Sequence, residues 1–190
     1  MNPDIAASKE SLRREIRSRG VTAQERAAAS AALCERLHAL DCWAQARAVL
    51  FFAPLSDEPD IFPSIQRALN EGKLASLLRF KPDEHLFEPV QIEDTERDLL
   101  PGHFGVREPA HHCPVLPMNR LDLLLVPGLA FDLCGRRLGR GKGFYDRLLA
   151  TAHETKCGVC FDWQMVETVP VEAHDVALNC IVTPTRWLRF

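Results

Sequence analysis

Helical periodicity appears in four separate segments of the chain. Apolar and basic positions recur at helical spacing over residues 6–19, 22–40 and 61–70, and again from Gly143 onward. Thr22 opens the second segment with a glutamate three residues later, which is the form of a helix capping box. We therefore expect helices in all four places, each with one face available for packing.

Apolar runs between these helices have the length and composition of strands. They occupy residues 47–53, 73–80, 85–92, 121–126, 157–161 and 179–183. Continuous apolar runs are typical of strands buried on both faces of a sheet. Because strands and helices alternate, we predict an α/β fold, a three-layer α/β/α sandwich with a mainly parallel central sheet, in one domain over residues 1–190. The segment 101–117, rich in proline and glycine, is predicted to be an extended surface loop.

The amino-acid composition limits the classes of protein to which the chain can belong. The chain has 23 basic and 26 acidic side chains, a near balance that argues against a protein whose main activity is to wrap nucleic acid. No apolar run approaches the roughly 18 residues of a membrane span, so we expect no membrane partner. The seven cysteines have no framework spacing, which is typical of reduced thiols, and we predict a cytoplasmic protein.

A glycine-rich segment after the strand predicted at 121–126 carries the strongest chemical signal. It alternates the glycines Gly139, Gly141 and Gly143 with the cations Arg137, Arg140 and Lys142. Alternating glycines allow a backbone to approach a ligand closely and the cations supply positive charge, so the segment suits a polyphosphate. It is not a Walker A loop, because a glycine follows Lys142 where Ser or Thr is required. A solvated basic turn is the alternative interpretation.

Two residues that follow the glycines add further chemistry. Asp146 can bind Mg²⁺, which favours one or two carboxylates together with phosphate oxygens and water. Stabilisation of the first helical turn is the alternative role for this aspartate. Tyr145, the only tyrosine in the chain, can stack on a flat ligand, and a place in the core is the alternative for it.

With these motifs in view, the chain resembles the 5-formyltetrahydrofolate cyclo-ligase family, also called methenyltetrahydrofolate synthetases. The resemblance covers nearly the whole length, and the strand exit together with the glycine-rich segment is its most specific part. The matching motifs are Lys9-x-x-Leu12-Arg13, Phe104-Gly105-Val106-Arg107-Glu108-Pro109, residues 126–132, residues 137–146, Val169-Pro170 and His174-Asp175.

The resemblance implies an ATP- and Mg²⁺-dependent enzyme of one-carbon metabolism. Its reaction would convert 5-formyltetrahydrofolate to 5,10-methenyltetrahydrofolate and release ADP and phosphate. A formamide carbon is a poor electrophile, and ring closure must expel the formyl oxygen. Transfer of the terminal phosphoryl group to that oxygen would make it a good leaving group, so positioning and charge neutralisation would carry the catalysis.

Site residues follow from the resemblance by motif matching. The implied ATP contacts are Lys9, Arg13, Arg137, Leu138, Gly139, Arg140, Gly141, Lys142, Gly143, Phe144 and Tyr145. The implied catalytic residues are Arg140, Lys142 and Tyr145, and the implied magnesium ligands are Asp146 and Asp175. The implied folate contacts are Ala53, Glu58, Phe104 and Tyr145, with the glutamate accepting hydrogen bonds from the pterin.

Two other functions remain open at this point. Departures from the family pattern near Leu78 and Asn179 are compatible with a regulatory relative that binds nucleotide or folate without turnover. A nucleic-acid-binding protein would use the basic residues around Arg140, although the near-neutral charge speaks against it. We expect a monomer or a weak homodimer.

Overall fold

This computed structural model describes residues 3–190, without the side chain of Phe104, and these residues include eleven strands and five α-helices. The helices are α1 (Pro3–Ser18), α2 (Ala23–His38), α3 (Asp41–Gln45), α4 (Phe62–Asn70) and α5 (Phe144–Ala150). The strands are β1 (Ala48–Leu50), β2 (Leu74–Lys81), β3 (Leu86–Ile92), β4 (Leu99–Pro101), β5 (Arg107–Pro109), β6 (Leu123–Val126), β7 (Ala130–Phe131), β8 (Arg137–Leu138), β9 (Thr155–Val159), β10 (Cys180–Val182) and β11 (Trp187–Arg189).

The central sheet is mainly parallel, as predicted. Its seven strands follow the order β11-β10-β9-β6-β1-β2-β3. The five inner strands pair in parallel, whereas β3 and β11 add to the two edges in antiparallel orientation. Since β6, β1 and β2 are parallel neighbours, their carboxyl ends meet at one edge of the sheet, where α/β proteins commonly bind ligands.

The apolar run of β1 is continuous because both faces of this strand are buried. Val49 packs into a cluster with residues of α2, α3 and α4, whereas Leu50 packs into a cluster on the opposite face with Leu149 of α5. Burying an aliphatic or aromatic side chain of this size contributes about 1.5–3 kcal/mol. The sheet is therefore covered on both faces, and the three-layer prediction is confirmed.

Helix boundaries agree closely with the periodicity. Thr22 caps α2, its hydroxyl accepting a hydrogen bond from the backbone N–H of Glu25 at 3.2 Å. The Glu25 carboxylate in turn accepts one from the Thr22 N–H at 2.8 Å, which completes the predicted capping box. Within the described residues, no helix is both long enough and apolar enough to span a bilayer.

The prediction of an extended surface loop over 101–117 is wrong in part. Strands β4 and β5 pair antiparallel in a small second sheet around this segment, and Ala110 and Cys113 are buried beneath it. Three-residue strands are too short to show a period of two, so the sequence pattern gave no sign of them.

A short hairpin, β7 and β8, leads into the glycine-rich segment. Phe131 pairs with Arg137, and Ala130 pairs with Leu138. Helix α1 packs on this hairpin through Ile16, which shares a buried cluster with Ala130 and Leu138. The side chain of Leu138 therefore stabilises the base of the glycine-rich segment, and only its backbone is left to contact a ligand.

Candidate active site

A cavity of about 260 Å³ lies at the carboxyl ends of β1, β2 and β6. The loop that follows β1 forms one wall, Pro127 and Gly128 form the floor, and the glycine-rich segment forms the opposite wall. The lining residues include Ala53, Glu58, Arg137, Gly139, Arg140, Lys142, Gly143, Phe144, Tyr145 and Asp146. The fold thus brings together residues that lie 82 or more positions apart in the chain, such as Glu58 and Arg140.

Glu58 is a buried carboxylate held on two sides. Its Oε2 accepts a hydrogen bond from the Leu55 N–H at 3.0 Å, and its Oε1 accepts two from Arg140, from Nε at 3.1 Å and Nη2 at 2.9 Å. Burial raises the pKa of Glu58, and the Leu55 amide and Arg140 partly oppose that rise. The residue can therefore act as an acceptor for ligand N–H groups inside the cavity.

The glycine-rich segment uses backbone conformations that other residues avoid. Gly141 has φ 98° and Gly143 has φ 66°, both in the left-handed region. Arg13 of α1 lies behind the segment, where its Nε donates to the Gly139 carbonyl at 3.0 Å. A Cβ on Gly141 would lie 3.4 Å from the Arg13 guanidinium carbon. Arg13 thus shapes the segment from outside the cavity.

Buried Arg137 forms an ion pair with the partly exposed Asp146 at the floor of the cavity. The Arg137 Nη2 lies 2.5 Å from Asp146 Oδ1, and Nη1 donates to the Pro127 carbonyl at 3.3 Å. The Nε of Arg137 is buried and has no hydrogen-bond partner among the described residues. A buried donor without a partner is costly, so this guanidinium has hydrogen-bonding capacity that the contacts with Pro127 and Asp146 do not use.

Aromatic side chains close the cavity on the side of α5. Tyr145 is packed between the two core clusters, and burial raises the pKa of its hydroxyl. Its ring lies 5.6 Å from the Arg137 guanidinium carbon. Phe144 meets Phe87 edge-on, with ring centroids 4.9 Å apart. These rings offer an apolar wall for a flat ligand, and the predicted role of Phe104 depends on a side chain outside the described part.

Lys9 and Asp175 lie together, outside the described lining of the cavity. The Lys9 Nζ is 2.6 Å from Asp175 Oδ2 and 3.2 Å from Glu172 Oε2. Lys9 is only 9% exposed, so it does not belong to a solvated helix face. Direct contact of Lys9 with phosphates, and of Asp175 with magnesium, stays a prediction.

Sequence reasoning missed several residues of the cavity. Glu108 is the most polar of them, a buried carboxylate whose Oε1 accepts a hydrogen bond from the His103 N–H at 2.9 Å. Its position within the short strand β5 carried no periodic signal. The other missed lining residues are Phe52, Leu55, Leu78, Phe87, Val106, Pro127 and Gly128.

A second group of potential metal ligands flanks the small second sheet, among residues that do not line the cavity. Asp98, His112 and Cys113 have donor atoms within 4.8 Å of one another. The Asp98 Oδ2 already accepts hydrogen bonds from the backbone N–H groups of Glu93 and Asp94, at 2.8 and 3.0 Å. Asp98 therefore serves to fix this loop.

Comparison with known proteins decides the family. A family model described as the 5-formyltetrahydrofolate cyclo-ligase family matches residues 5–184. The chain belongs to this family. The resemblance inferred from the motifs is thus confirmed, and so is the expectation that the protein is an enzyme of the cyclo-ligase type.

Individual members of the cyclo-ligase family cover most of the chain. The 5-formyltetrahydrofolate cyclo-ligase of Escherichia coli K12 is 35% identical over 74% of this chain and 80% of its own length. The enzyme of the same name from Mus musculus is 29% identical over 92% and 93% of the two chains. The NMR structure of Aquifex aeolicus 5,10-methenyltetrahydrofolate synthetase superposes with a TM-score of 0.85 and 29% identity over 95% and 92%.

Proposed function

We propose that the protein uses ATP to cyclise 5-formyltetrahydrofolate to 5,10-methenyltetrahydrofolate, with release of ADP and phosphate. One observation carries this proposal beyond family membership. The glycine-rich segment and Glu58 line the same cavity and are joined directly by Arg140. A polyphosphate on the segment and a pterin on the glutamate would therefore meet in the same cavity.

The reaction needs activation of the formyl oxygen before the ring can close. The N5-formyl oxygen attacks the terminal phosphorus of ATP, a new P–O bond forms, and ADP leaves. N10 then attacks the formyl carbon, loses its proton, and the C–O bond breaks with inorganic phosphate as the leaving group. The first step moves negative charge between phosphate oxygens, so fixed cations stabilise it.

Cations of the glycine-rich segment supply that charge. Arg140 and Lys142 lie on the wall of the cavity, and Arg137 lies at its floor with an unsatisfied Nε. We assign ATP phosphates to these three side chains and to the backbone from Leu138 to Gly143, which alternating glycines leave uncovered. Phe144 and Tyr145 would flank the nucleotide end of the site.

Asp146 is the carboxylate of the cavity that would hold Mg²⁺. Its side chain is 24% exposed, lines the cavity together with the loop cations, and would have to share Oδ1 with Arg137. Mg²⁺ would supply charge neutralisation at the phosphate oxygens. Asp175 is the second ligand that the family motif suggests, and it would have to share its carboxylate with Lys9.

We place the folate on the opposite side of the cavity. Glu58 would accept hydrogen bonds from the pterin amino and amide groups, and Ala53 would allow close approach to the strand end. The family motif suggests Tyr145 and Phe104 as further folate contacts. The cytoplasmic location of the protein remains a prediction from its unpaired cysteines.

A product assay tests the proposed function. Purified protein with ATP, Mg²⁺ and 5-formyltetrahydrofolate should generate methenyl absorbance and one ADP for each product, and omission of ATP should abolish both. Folded protein that binds the ligands without forming ADP would instead support a regulatory relative.

A further inference from the structure

Arg140 spans the cavity from the glycine-rich segment to the loop that follows β1. Its Nη2 lies 2.5 Å from Asp57 Oδ1 and 2.9 Å from Glu58 Oε1, while Nε donates to Glu58 at 3.1 Å. The Nε–Nη2 edge is the part of a guanidinium that holds an oxyanion with two hydrogen bonds. In this state Glu58 occupies the edge that a phosphate would use.

Glu58 cannot lose this cation without a replacement. Its side chain is only 5% exposed, whereas that of Asp57 is 49% exposed. A buried carboxylate that loses its ion-pair partner incurs a large desolvation cost, whereas an exposed one is hydrated by water. Withdrawal of Arg140 towards ATP is therefore opposed mainly by Glu58.

The small volume of the cavity also indicates that Arg140 must move when folate binds. Its volume of about 260 Å³ is below the roughly 300–1,000 Å³ of pockets that enclose drug-sized ligands. A pterin seated on Glu58 would occupy the space that the Arg140 side chain now crosses. Entry of the folate thus requires the bridge to open.

We infer that Arg140 couples the two ligand sites by exchanging Glu58 for the phosphates of ATP when folate arrives. This inference rests on the proposed function. Pterin N–H groups replace the guanidinium at Glu58, and the released Arg140 turns to the phosphate oxygens. Folate occupancy therefore raises the affinity for ATP, and ATP raises the affinity for folate by the same factor, because coupling free energies are reciprocal.

Glu58→Gln gives the sharpest test, because it predicts tighter nucleotide binding from a change on the folate side. Glutamine keeps an acceptor for the Leu55 N–H and removes the charge that holds Arg140. The non-hydrolysable analogue AMP-PNP, titrated with Mg²⁺ in the absence of folate, should bind about fivefold or more tighter to this variant than to wild type. Adding 5-formyltetrahydrofolate should tighten AMP-PNP binding in wild type and not in Glu58→Gln.

Two further variants separate coupling from general disturbance of the cavity. Glu108→Gln neutralises another buried carboxylate of the same cavity, one that is hydrogen-bonded to His103 and the Phe80 backbone and not to Arg140, so AMP-PNP affinity should stay at the wild-type value. Asp57→Asn keeps Glu58 and loosens the hold on Arg140, so it should tighten AMP-PNP binding by less than Glu58→Gln while folate still binds.

The possible results distinguish failure of the coupling from failure of the proposed function. If wild type binds both ligands and Glu58→Gln and Asp57→Asn bind AMP-PNP no tighter than wild type, the coupling is overturned and the proposed function stands. If wild type binds neither AMP-PNP nor 5-formyltetrahydrofolate, both are overturned. Mutual tightening in wild type that is lost in Glu58→Gln supports the coupling.

Discussion

At the residue scale, charge compensation between the two walls of the cavity organises the site. Glu58 and the glycine-rich cations were recognisable from sequence, because their types and spacing match a family motif. Asp57 was not, since its importance comes from Arg140, which lies 83 positions away in the chain. Contacts of that range depend on the completed sheet, and no local pattern encodes them.

The ionisation of Glu58 predicts how folate binding depends on pH. Pterin donors need the carboxylate, and its pKa is raised by burial, so folate affinity should decline with acidification at a higher pH than for an ordinary glutamate. Arg140→Met removes the opposing cation and should move this decline to still higher pH. Tryptophan fluorescence titrations of 5-formyltetrahydrofolate at several pH values measure the effect, and Glu58→Gln should lack the transition that Glu58 produces.

The raised pKa of Glu58 also predicts how the free energy of unfolding depends on pH. Between the ordinary and the raised pKa, the folded state binds more protons at Glu58 than the unfolded state, so this residue's contribution to stability falls as pH rises through that window. Urea unfolding of wild type and Glu58→Gln should diverge there, with the variant less sensitive to pH. Parallel curves across the window would contradict the raised pKa.

Lys142 is predicted to act on ATP and not on folate. Loss of a charge-assisted hydrogen bond to phosphate costs about 1.5–3 kcal/mol, so Lys142→Ala should raise the KM for ATP by roughly 10- to 100-fold. Affinity for 5-formyltetrahydrofolate alone should hardly change. Arg14→Ala, which removes an exposed cation of α1, is the matched control, and an equal effect from it would point to nonspecific charge.

At the scale of elements, the glycine-rich segment depends on two left-handed glycines. Gly141→Ala would place a non-glycine residue at φ 98°, at a cost of about 1–2 kcal/mol, and press a methyl group towards Arg13. Gly72 is the matched control, with φ 73° and open space around its missing Cβ. Both alanine variants should lose comparable stability in urea unfolding, whereas only Gly141→Ala should raise the KM for ATP.

Elements marked by helical periodicity or by a continuous apolar run were predictable, and short strands outside such runs were not. The capping box at Thr22 and the apolar run of β1 located their helix and strand closely. The pairing of β4 with β5 was missed, because neither strand belongs to a longer apolar run and both gain their stability from neighbours. Glu108 lies in β5 and lines the cavity from there, so it was missed as well.

At the scale of the whole molecule, the Lys9 ion pairs join the two ends of the chain. Lys9 of α1 meets Glu172 and Asp175, which lie 163 and 166 positions away. Removal of one partner from a buried ion pair costs about 3–5 kcal/mol, and Lys9→Met would leave two carboxylates facing each other. Thermal unfolding should therefore show a substantially lower Tm, and Asp175→Asn added to Lys9→Met should recover part of it. Independent effects of the two changes would mean that the pair carries no stability.

The path of the formyl oxygen gives the sharpest test of the proposed reaction, because ATP and folate in one cavity would allow phosphoryl transfer to that oxygen. The substrate is prepared with ¹⁸O in the formyl group and converted with unlabelled ATP, and the released phosphate is analysed by mass spectrometry. We expect one ¹⁸O in each phosphate molecule. Unlabelled phosphate, with the ¹⁸O recovered in water, would contradict the proposed reaction.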